Sequence, residues 1–425
     1  MGTQNQLPLL SLNERDRRWE LIRKDMEERG LDCLVIQGDQ GLWGYNDCNV
    51  RYVTGIGDFG YALFPLKEDP ICFVWWTAPY QARRSKDESH LTSTIRSKVK
   101  KDAPTRNPWA LEKPWVRDIR QGWPRPSEAI VTAIKDLGLE KGTIGLVSTY
   151  HSWEPEGTFP YTVIKNLYSA LPQAELIENA TDILEKARLR KSTEEIRCIE
   201  VAGEIADRGI EAALNHIRPG VNEVGVYAKV VEAFLAHGSE RLFMNWWASG
   251  QAPTHTQYFV PTDRIMCEGD ILYNEYTPRY GGYVAHPHQP ISIGKPIEEY
   301  QTMFALLKQT RDEALSKLKP GVTIAEQTEA LTKPLEDAGY SYLHCPFHGL
   351  GLSGLEFPNA EFWGKTSPYV VSPPDMVFEE GMVLAYEPMI STPDRKIGFP
   401  LGDTVIVTKD GSRRLSKYCD DLIVV

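Results

Sequence analysis

The chain has 425 residues, more than a single hydrophobic core usually organises, so we expect at least two domains. Its 42% hydrophobic and 25% charged residues are typical of globular proteins and exclude a disordered or fibrous chain. The formal net charge of −11 argues against a broadly basic surface, so neither nucleic acid nor a membrane is an expected partner. Seven cysteines without a CxxC pair, and no apolar run of signal-peptide or membrane-span length, predict a soluble, cytoplasmic protein.

The first half of the chain has the alternating pattern of an α/β domain. An amphipathic stretch over Glu14–Arg29 predicts a helix, and the β-rich run Asp32–Ile36 predicts the strand that follows it. Two more strands and one more helix are predicted in the same way, at 71–76, 144–147 and 126–137. Polar residues, prolines and tryptophans between 86 and 123 predict a long irregular segment, of a kind that is often functional or forms an interface. We assign residues 1–180 to this domain.

The second half contains an internal repeat. Ser192-Thr-Glu-Glu195 places a hydroxyl three residues before a carboxylate, which predicts a helix capping box and the start of a new domain. The segment Ala213–Val221 ends in Pro-Gly-Val, and Ala314–Val322 repeats this pattern further along the chain. In each copy one helix ends at Pro-Gly, a second begins, and β-like segments follow. Residues 181–425 are therefore predicted to form two similar α+β halves with a cleft between them.

Side chains suited to acid–base or metal chemistry follow each copy of the repeat. They are His255, His286, His288, His344, His348 and Glu387. Imidazole is the usual proton carrier near neutral pH, and a nearby carboxylate fixes its tautomer. His286 and His288 have the i, i+2 spacing that directs two side chains to one face of a strand, although Pro287 between them weakens the regular strand.

Short motifs in both halves resemble the metallo-aminopeptidase and creatinase superfamily, metallopeptidase family M24. The motifs are Asn49-Val-Arg-Tyr-Val-Thr-Gly55, Gly269-Asp-Ile-Leu272, Gly282-Tyr283, Phe347-His-Gly-Leu-Gly351, Glu380-Gly-Met-Val383, Glu387-Pro-Met389 and Asp403-Thr-Val-Ile-Val-Thr408. The resemblance implies an N-terminal creatinase-like α/β domain followed by a pseudo-twofold pita-bread domain. It also implies a homodimer.

The resemblance implies metal-ligand positions that this chain only partly retains. Peptidases of this fold hold two ions with two aspartates, a histidine and two glutamates. Here those positions fall on Glu275, His286, His348, Glu387 and Gly402. Because one carboxylate has become an imidazole and another is missing, we expect a metal-independent site without a cofactor. The alternative is a single Zn²⁺, Fe²⁺ or Mn²⁺ ion held by His286, His348 and Glu387.

These expectations together predict a creatinase-like hydrolase that cleaves a C–N bond of a small, polar, nitrogen-containing substrate. In this hypothesis His255, His348 and Glu387 are catalytic, with His255 as the proton carrier. The residues expected to bind the substrate are His286, His288, Glu275, Trp246 and Trp247. Two alternatives remain open at this point. One is a mononuclear-metal lyase or hydrolase, similar to dimethylsulfoniopropionate lyases or to the peptidases, and the other is a non-catalytic binding module.

Overall fold

A computed structural model of the chain describes residues 7–38, 48–57, 60–75, 110–149, 158–240, 242, 245–250, 260–342, 345–360 and 372–425. No helix within these ranges combines the length and the apolar character that a membrane span requires.

The N-terminal domain is built on a mixed six-stranded sheet with the order β4-β3-β2-β1-β5-β6. Its elements are α1 (Leu12–Glu28), β1 (Cys33–Gly38), α2 (Cys48–Thr54), β2 (Gly60–Pro65), β3 (Ile71–Val74), β4 (Asp118–Gln121), α3 (Pro126–Asp136), β5 (Thr143–Val147), α4 (Tyr161–Ala170) and β6 (Glu175–Ile177). Strand β1 is antiparallel to β2 and parallel to β5. All six residues of β1 are buried, as expected for a central strand covered on both faces.

Helix α1 forms where the amphipathic pattern predicts it. The Ser11 side chain accepts a hydrogen bond from the backbone N–H of Glu14 and caps the first turn. Trp19, Ile22 and Met26 lie on one face of the helix and are buried in the core of the domain. Burial of this apolar face stabilises the helix in the fold, since propensity alone contributes little.

The described part of the segment 86–123, residues 110–123, contains the short strand β4. Within it, Trp115 is buried under the guanidinium of Arg18, which lies 4.8 Å from the centroid of the indole ring. Trp115 therefore packs inside the chain and is not free to contact a partner. Trp123 is exposed and Trp109 lies outside the described residues. The homodimer stays a prediction.

The C-terminal domain repeats a helix pair followed by strands, as the internal repeat predicts. After α5 (Thr181–Leu189), the first half contains α6 (Thr193–His216), α7 (Glu223–Ala236), β7 (Trp247–Gly250), β8 (Ile271–Asn274), β9 (Arg279–Tyr280), β10 (Tyr283–Val284) and β11 (Ile291–Ser292). The second half contains α8 (Glu298–Lys317), α9 (Ile324–Asp337), β12 (Ser341–Tyr342), β13 (Phe347–Gly349), β14 (Glu356–Asn359), β15 (Val383–Tyr386), β16 (Met389–Ser391), β17 (Gly398–Pro400), β18 (Asp403–Thr408), β19 (Gly411–Arg414) and β20 (Ile423–Val424). Gly220 and Gly321 follow the first helix of each half with φ of 85° and 90°, a conformation that favours glycine.

Two sheets of this domain carry the strands that matter for the site. One has the order β20-β11-β8-β7, and the other has the order β14-β13-β15-β18-β19. Strand β15 lies between β13 and β18 and is antiparallel to both. This arrangement brings residues 347–349, 383–386 and 403–408 side by side, although they are distant in the chain.

Buried polar contacts join the two domains at the start of α6. The predicted capping box is present: the Ser192 side chain accepts from the Glu195 N–H, and the Glu195 carboxylate accepts from the Ser192 N–H. The same carboxylate accepts hydrogen bonds from Arg17 of α1 and from the hydroxyl of Tyr283. One glutamate therefore caps a helix and connects the N-terminal domain to the strand that precedes the candidate site.

Candidate functional site

Five buried side chains of the C-terminal domain converge from four strands. Glu275 follows β8, two histidines follow β10, one histidine lies in β13, and the second glutamate follows β15. They are Glu275, His286, His288, His348 and Glu387, and each is at most 2% exposed. All were expected from the sequence to belong to the site, and the structure brings them together.

The backbone of neighbouring strands holds these residues in place. The N–H of His286 donates to the hydroxyl of Thr404 at 2.8 Å, and the N–H of His288 donates to the carbonyl of Gly402 at 2.9 Å. The N–H of Glu387 donates to the carbonyl of Pro346 at 3.0 Å. Such supporting contacts fix the direction in which each side chain enters the site.

The imidazole Nε2 atoms point at the carboxylates. His286 Nε2 lies 3.0 Å from Glu275 Oε2 and 3.9 Å from Glu387 Oε2. His288 Nε2 lies 2.8 Å from Glu387 Oε2, and His348 Nε2 lies 3.1 Å from Glu387 Oε1. Glu387 is therefore the centre of the cluster, with an imidazole at each of its oxygens.

The tautomer of His348 follows from its second nitrogen. Nδ1 lies 2.9 Å from the carbonyl oxygen of Gly349, a position that requires an N–H donor. In the neutral ring Nε2 then carries a lone pair directed at the Glu387 carboxylate, and two electron-rich atoms face each other. The pair offers one nitrogen and one oxygen donor to a metal ion.

The electrostatics of the cluster favour cations. Burial by itself would raise the pKa of Glu387, but the charges of His286 and His348 and hydrogen bonds from His288 and His348 hold it well below its usual range. Burial would lower the pKa of His288, but the hydrogen bond to Glu387 and the charge of Glu275 raise it above its usual value.

The donor set fits a divalent metal ion. One ligand atom from each of Glu275, His286, His288 and Glu387 lies within 4.8 Å of all the others, a spacing that one ion can bridge. Imidazole nitrogens together with carboxylate oxygens are typical ligands of Zn²⁺ and Fe²⁺. The remaining expected ligand, His348, contacts the same carboxylate.

Three other residues were predicted to belong to the site, and the described part of the structure does not place them in the cluster. His255 lies outside the described residues. Trp247 is fully buried in the core of the domain, where its ring meets those of Tyr227 and Tyr276 edge to face. Trp246 is half-buried against the small cluster formed by Tyr273 and Met389. A substrate contact by either tryptophan stays a prediction.

Sequence reasoning missed the contacts that support the ligands, namely the Thr404 hydroxyl and the Gly402 backbone carbonyl. Thr404 and Gly402 lie two residues apart near the start of β18, the same spacing as His286 and His288. Each histidine pairs with one of them in the fold. The equal spacing of the two pairs is the signal in the sequence that could have indicated these contacts. It can be interpreted only when the segments 286–288 and 402–404 are known to be neighbours in the fold.

Comparisons with known proteins agree with this geometry. The model of metallopeptidase family M24 matches residues 197–409, and that of the creatinase/prolidase N-terminal domain matches residues 18–190. The chain belongs to metallopeptidase family M24. The expected two-domain fold, with its creatinase-like N-terminal domain and pita-bread C-terminal domain, is confirmed.

Several proteins similar to this chain are named dipeptidases. An Xaa-Pro dipeptidase of Pyrococcus furiosus is 29% identical over 271 residues, covering 63% of this chain and 74% of that protein. The solved structure of an Xaa-Pro dipeptidase from Bacillus anthracis has a TM-score of 0.74 at 22% identity and covers 97% of this chain and 100% of the other. The structure of dipeptidase PepE from Mycobacterium ulcerans has a TM-score of 0.71 at 23% identity and covers 98% and 99%. These two structures share the fold.

The comparisons correct the expected chemistry. The prediction of a metal-independent, creatinase-like hydrolase without a cofactor is wrong, because the family is one of metallopeptidases and the relatives are dipeptidases. The buried cluster also has the composition and spacing of a metal site. The broader class of the enzyme, a hydrolase that cleaves a C–N bond, is confirmed. The expectation gave most weight to the lost carboxylates, and its alternative metal site left out His288 and Glu275, which the structure places in the same cluster.

Proposed function

We propose that this protein is a metal-dependent hydrolase that cleaves the amide bond of a dipeptide or of a similarly small peptide-like substrate. The observation that carries the proposal is the convergence of three imidazoles and two carboxylates in one buried cluster. The relatives named Xaa-Pro dipeptidase support an amide substrate and make dipeptides that end in proline the first compounds to test.

A divalent ion, when bound, supplies Lewis-acid polarisation of the scissile carbonyl and lowers the pKa of a water molecule. The residues that would hold it are Glu275, His286, His288, His348 and Glu387. The two carboxylates would supply the negative charge, and the hydrogen bond from His348 Nδ1 to the Gly349 carbonyl keeps Nε2 directed at the Glu387 carboxylate. Burial of all five side chains excludes bulk water, which strengthens each electrostatic interaction in the site.

The first experiment is a metal titration of the full chain with a peptide assay. Protein purified without added metal is analysed for metal content, stripped with a chelator, and reconstituted with Zn²⁺, Fe²⁺ or Mn²⁺. We expect hydrolysis of at least one Xaa-Pro or other dipeptide, loss of this activity after chelation, and recovery with metal. His348→Ala should abolish the recovery, whereas His237→Ala, at an exposed histidine after α7, should not change it. Full activity in the stripped protein, or no hydrolysis of any dipeptide by the loaded protein, would refute the proposal.

His255 is our candidate for the proton carrier of this reaction, because it occupies the position of the substrate-site histidine in the resemblance. Its replacement by alanine should lower kcat by about two to four orders of magnitude and leave the metal content unchanged. A folded His255→Ala variant with wild-type kcat would exclude this role.

A further inference from the structure

His288 and Gly402 are in direct contact across neighbouring segments. They form an isolated antiparallel bridge, in which the His288 N–H donates to the Gly402 carbonyl. A Cβ atom built on Gly402 would lie 2.8 Å from His288 Cδ2 and 2.9 Å from Glu387 Cβ. Carbon atoms do not approach so closely, so the His288 ring occupies the space in which a side chain at position 402 would begin.

From this position the His288 ring reaches the cluster. The ring is fully buried, and its Nε2 lies 2.8 Å from Glu387 Oε2. Its centroid lies 4.9 Å from that of the His286 ring, so the two imidazoles enter the site side by side. His288 therefore places a nitrogen donor in the cluster on the side where residue 402 has no side chain.

We propose that His288 is a metal ligand that replaces the missing side chain at position 402, and that His288 and Gly402 form a coupled pair. This inference rests on the proposed function, since it assumes that the cluster binds metal. The ligand set then contains the imidazoles of His286, His288 and His348 and the carboxylates of Glu275 and Glu387.

The composition of this set predicts both the number and the kind of ion. Two carboxylates with neutral imidazoles balance the charge of one divalent ion, whereas a second ion would leave two uncompensated positive charges in a buried site. Imidazole-rich sites suit Zn²⁺ and Fe²⁺, while Mn²⁺ and Mg²⁺ prefer carboxylates. We therefore expect one ion per chain and a preference for Zn²⁺ over Mn²⁺.

The alternative is that His288 only positions Glu387 through their hydrogen bond. His288→Gln separates the two roles, because the glutamine amide retains a donor for the carboxylate but is a poor zinc ligand. If His288 is a ligand, this variant should bind Zn²⁺ at least tenfold more weakly in a competition titration. The visible absorption spectrum of the Co²⁺-loaded protein should also change. Wild-type Zn²⁺ affinity with an unchanged Co²⁺ spectrum would overturn the inference.

The coupling is tested by a double-mutant cycle on the full chain. Gly402→Glu alone should lower Tm and weaken Zn²⁺ binding, because the new side chain collides with the His288 ring. His288→Ala with Gly402→Glu removes the contact with the ring and restores a carboxylate, while the contact with Glu387 Cβ remains. Tm and metal binding should therefore recover in part, and the preference should move toward Mn²⁺. A Gly402→Glu variant with wild-type Tm and wild-type Zn²⁺ affinity would overturn the coupling.

The outcomes also separate this inference from the proposed function. If the wild-type chain binds one Zn²⁺ and His288→Gln weakens it, but no dipeptide is cleaved, the ligand assignment is supported and the proposed function is refuted. If the wild-type chain binds no ion after reconstitution with any of the metals, both are refuted.

Discussion

Replacement of Glu195 by glutamine tests the buried ion pair that joins the two domains. Glu195 Oε2 lies 2.7 Å from Arg17 Nη2, and Oε1 lies 2.6 Å from the Tyr283 hydroxyl and 3.3 Å from Arg18 Nη2. The side chains of Glu195 and Arg18 are 3% and 1% exposed. Glutamine keeps the shape of the side chain but removes its charge, so a buried guanidinium loses one of its carboxylate partners.

The expected loss of stability depends on the ion-pair partner that Arg18 keeps in the variant. Removal of one partner from a buried ion pair typically costs about 3–5 kcal/mol. Arg18 keeps Glu14, whose Oε1 lies 2.7 Å from its Nε, so we expect the lower end, about 3 kcal/mol. If the free energy of unfolding falls by about 2 kcal/mol per M urea, the midpoint of the urea unfolding transition should fall by about 1.5 M.

The internal repeat supplies a matched control. Glu326 closes the capping box of α9 with the same geometry, since its Oε2 accepts from the Thr323 N–H at 2.8 Å, as Glu195 Oε2 accepts from the Ser192 N–H at 2.7 Å. Glu326 is exposed and has no arginine partner among the described residues. Urea unfolding followed by tryptophan fluorescence and circular dichroism should show a large shift for Glu195→Gln and little change for Glu326→Gln. Equal shifts would show that the ion pair contributes nothing beyond the capping box.

Two further predictions concern a buried carboxyl and a helix contact. Burial raises the pKa of Asp403 to about 7, only partly offset by Arg414, so the folded state holds this proton more tightly than the unfolded chain does. The stability of the folded protein should therefore fall as pH rises from 3.8 to about 7. Asp403→Asn should flatten this part of a plot of Tm against pH. An unchanged slope in the variant would contradict the raised pKa of Asp403. Gly209→Ala places a Cβ 2.2 Å from Phe234 Cε1 and should destabilise the protein in urea by about 1–3 kcal/mol. Gly225→Ala, which meets open space, should stabilise it by about 0.5–1 kcal/mol, and similar effects of the two substitutions would refute the packing argument.

Local patterns in the sequence determined the elements of the fold. The amphipathic spacing of Trp19, Ile22 and Met26 predicts α1, and Ser192 with Glu195 predicts the start of α6, because both signals depend on residues within one or two helical turns. The repeat of Pro-Gly after two helices predicts the two halves of the second domain. The residues of the cluster could also be predicted from the sequence, because they lie in or near motifs of the family.

Tertiary structure alone decided how the cluster residues are arranged. The sequence presents Gly402 as a lost ligand, which led to the wrong expectation of a metal-independent enzyme. In the fold His288 stands in the space that this glycine leaves, and Glu195 finds Arg18 across the domain interface. Both contacts join residues far apart in the chain. They depend on which backbone segments lie side by side. In the extended segment that carries His288, a shift of one residue in the pairing with Gly402 would turn the ring to the opposite face. Such neighbours are set by packing of the whole domain, which no local pattern records.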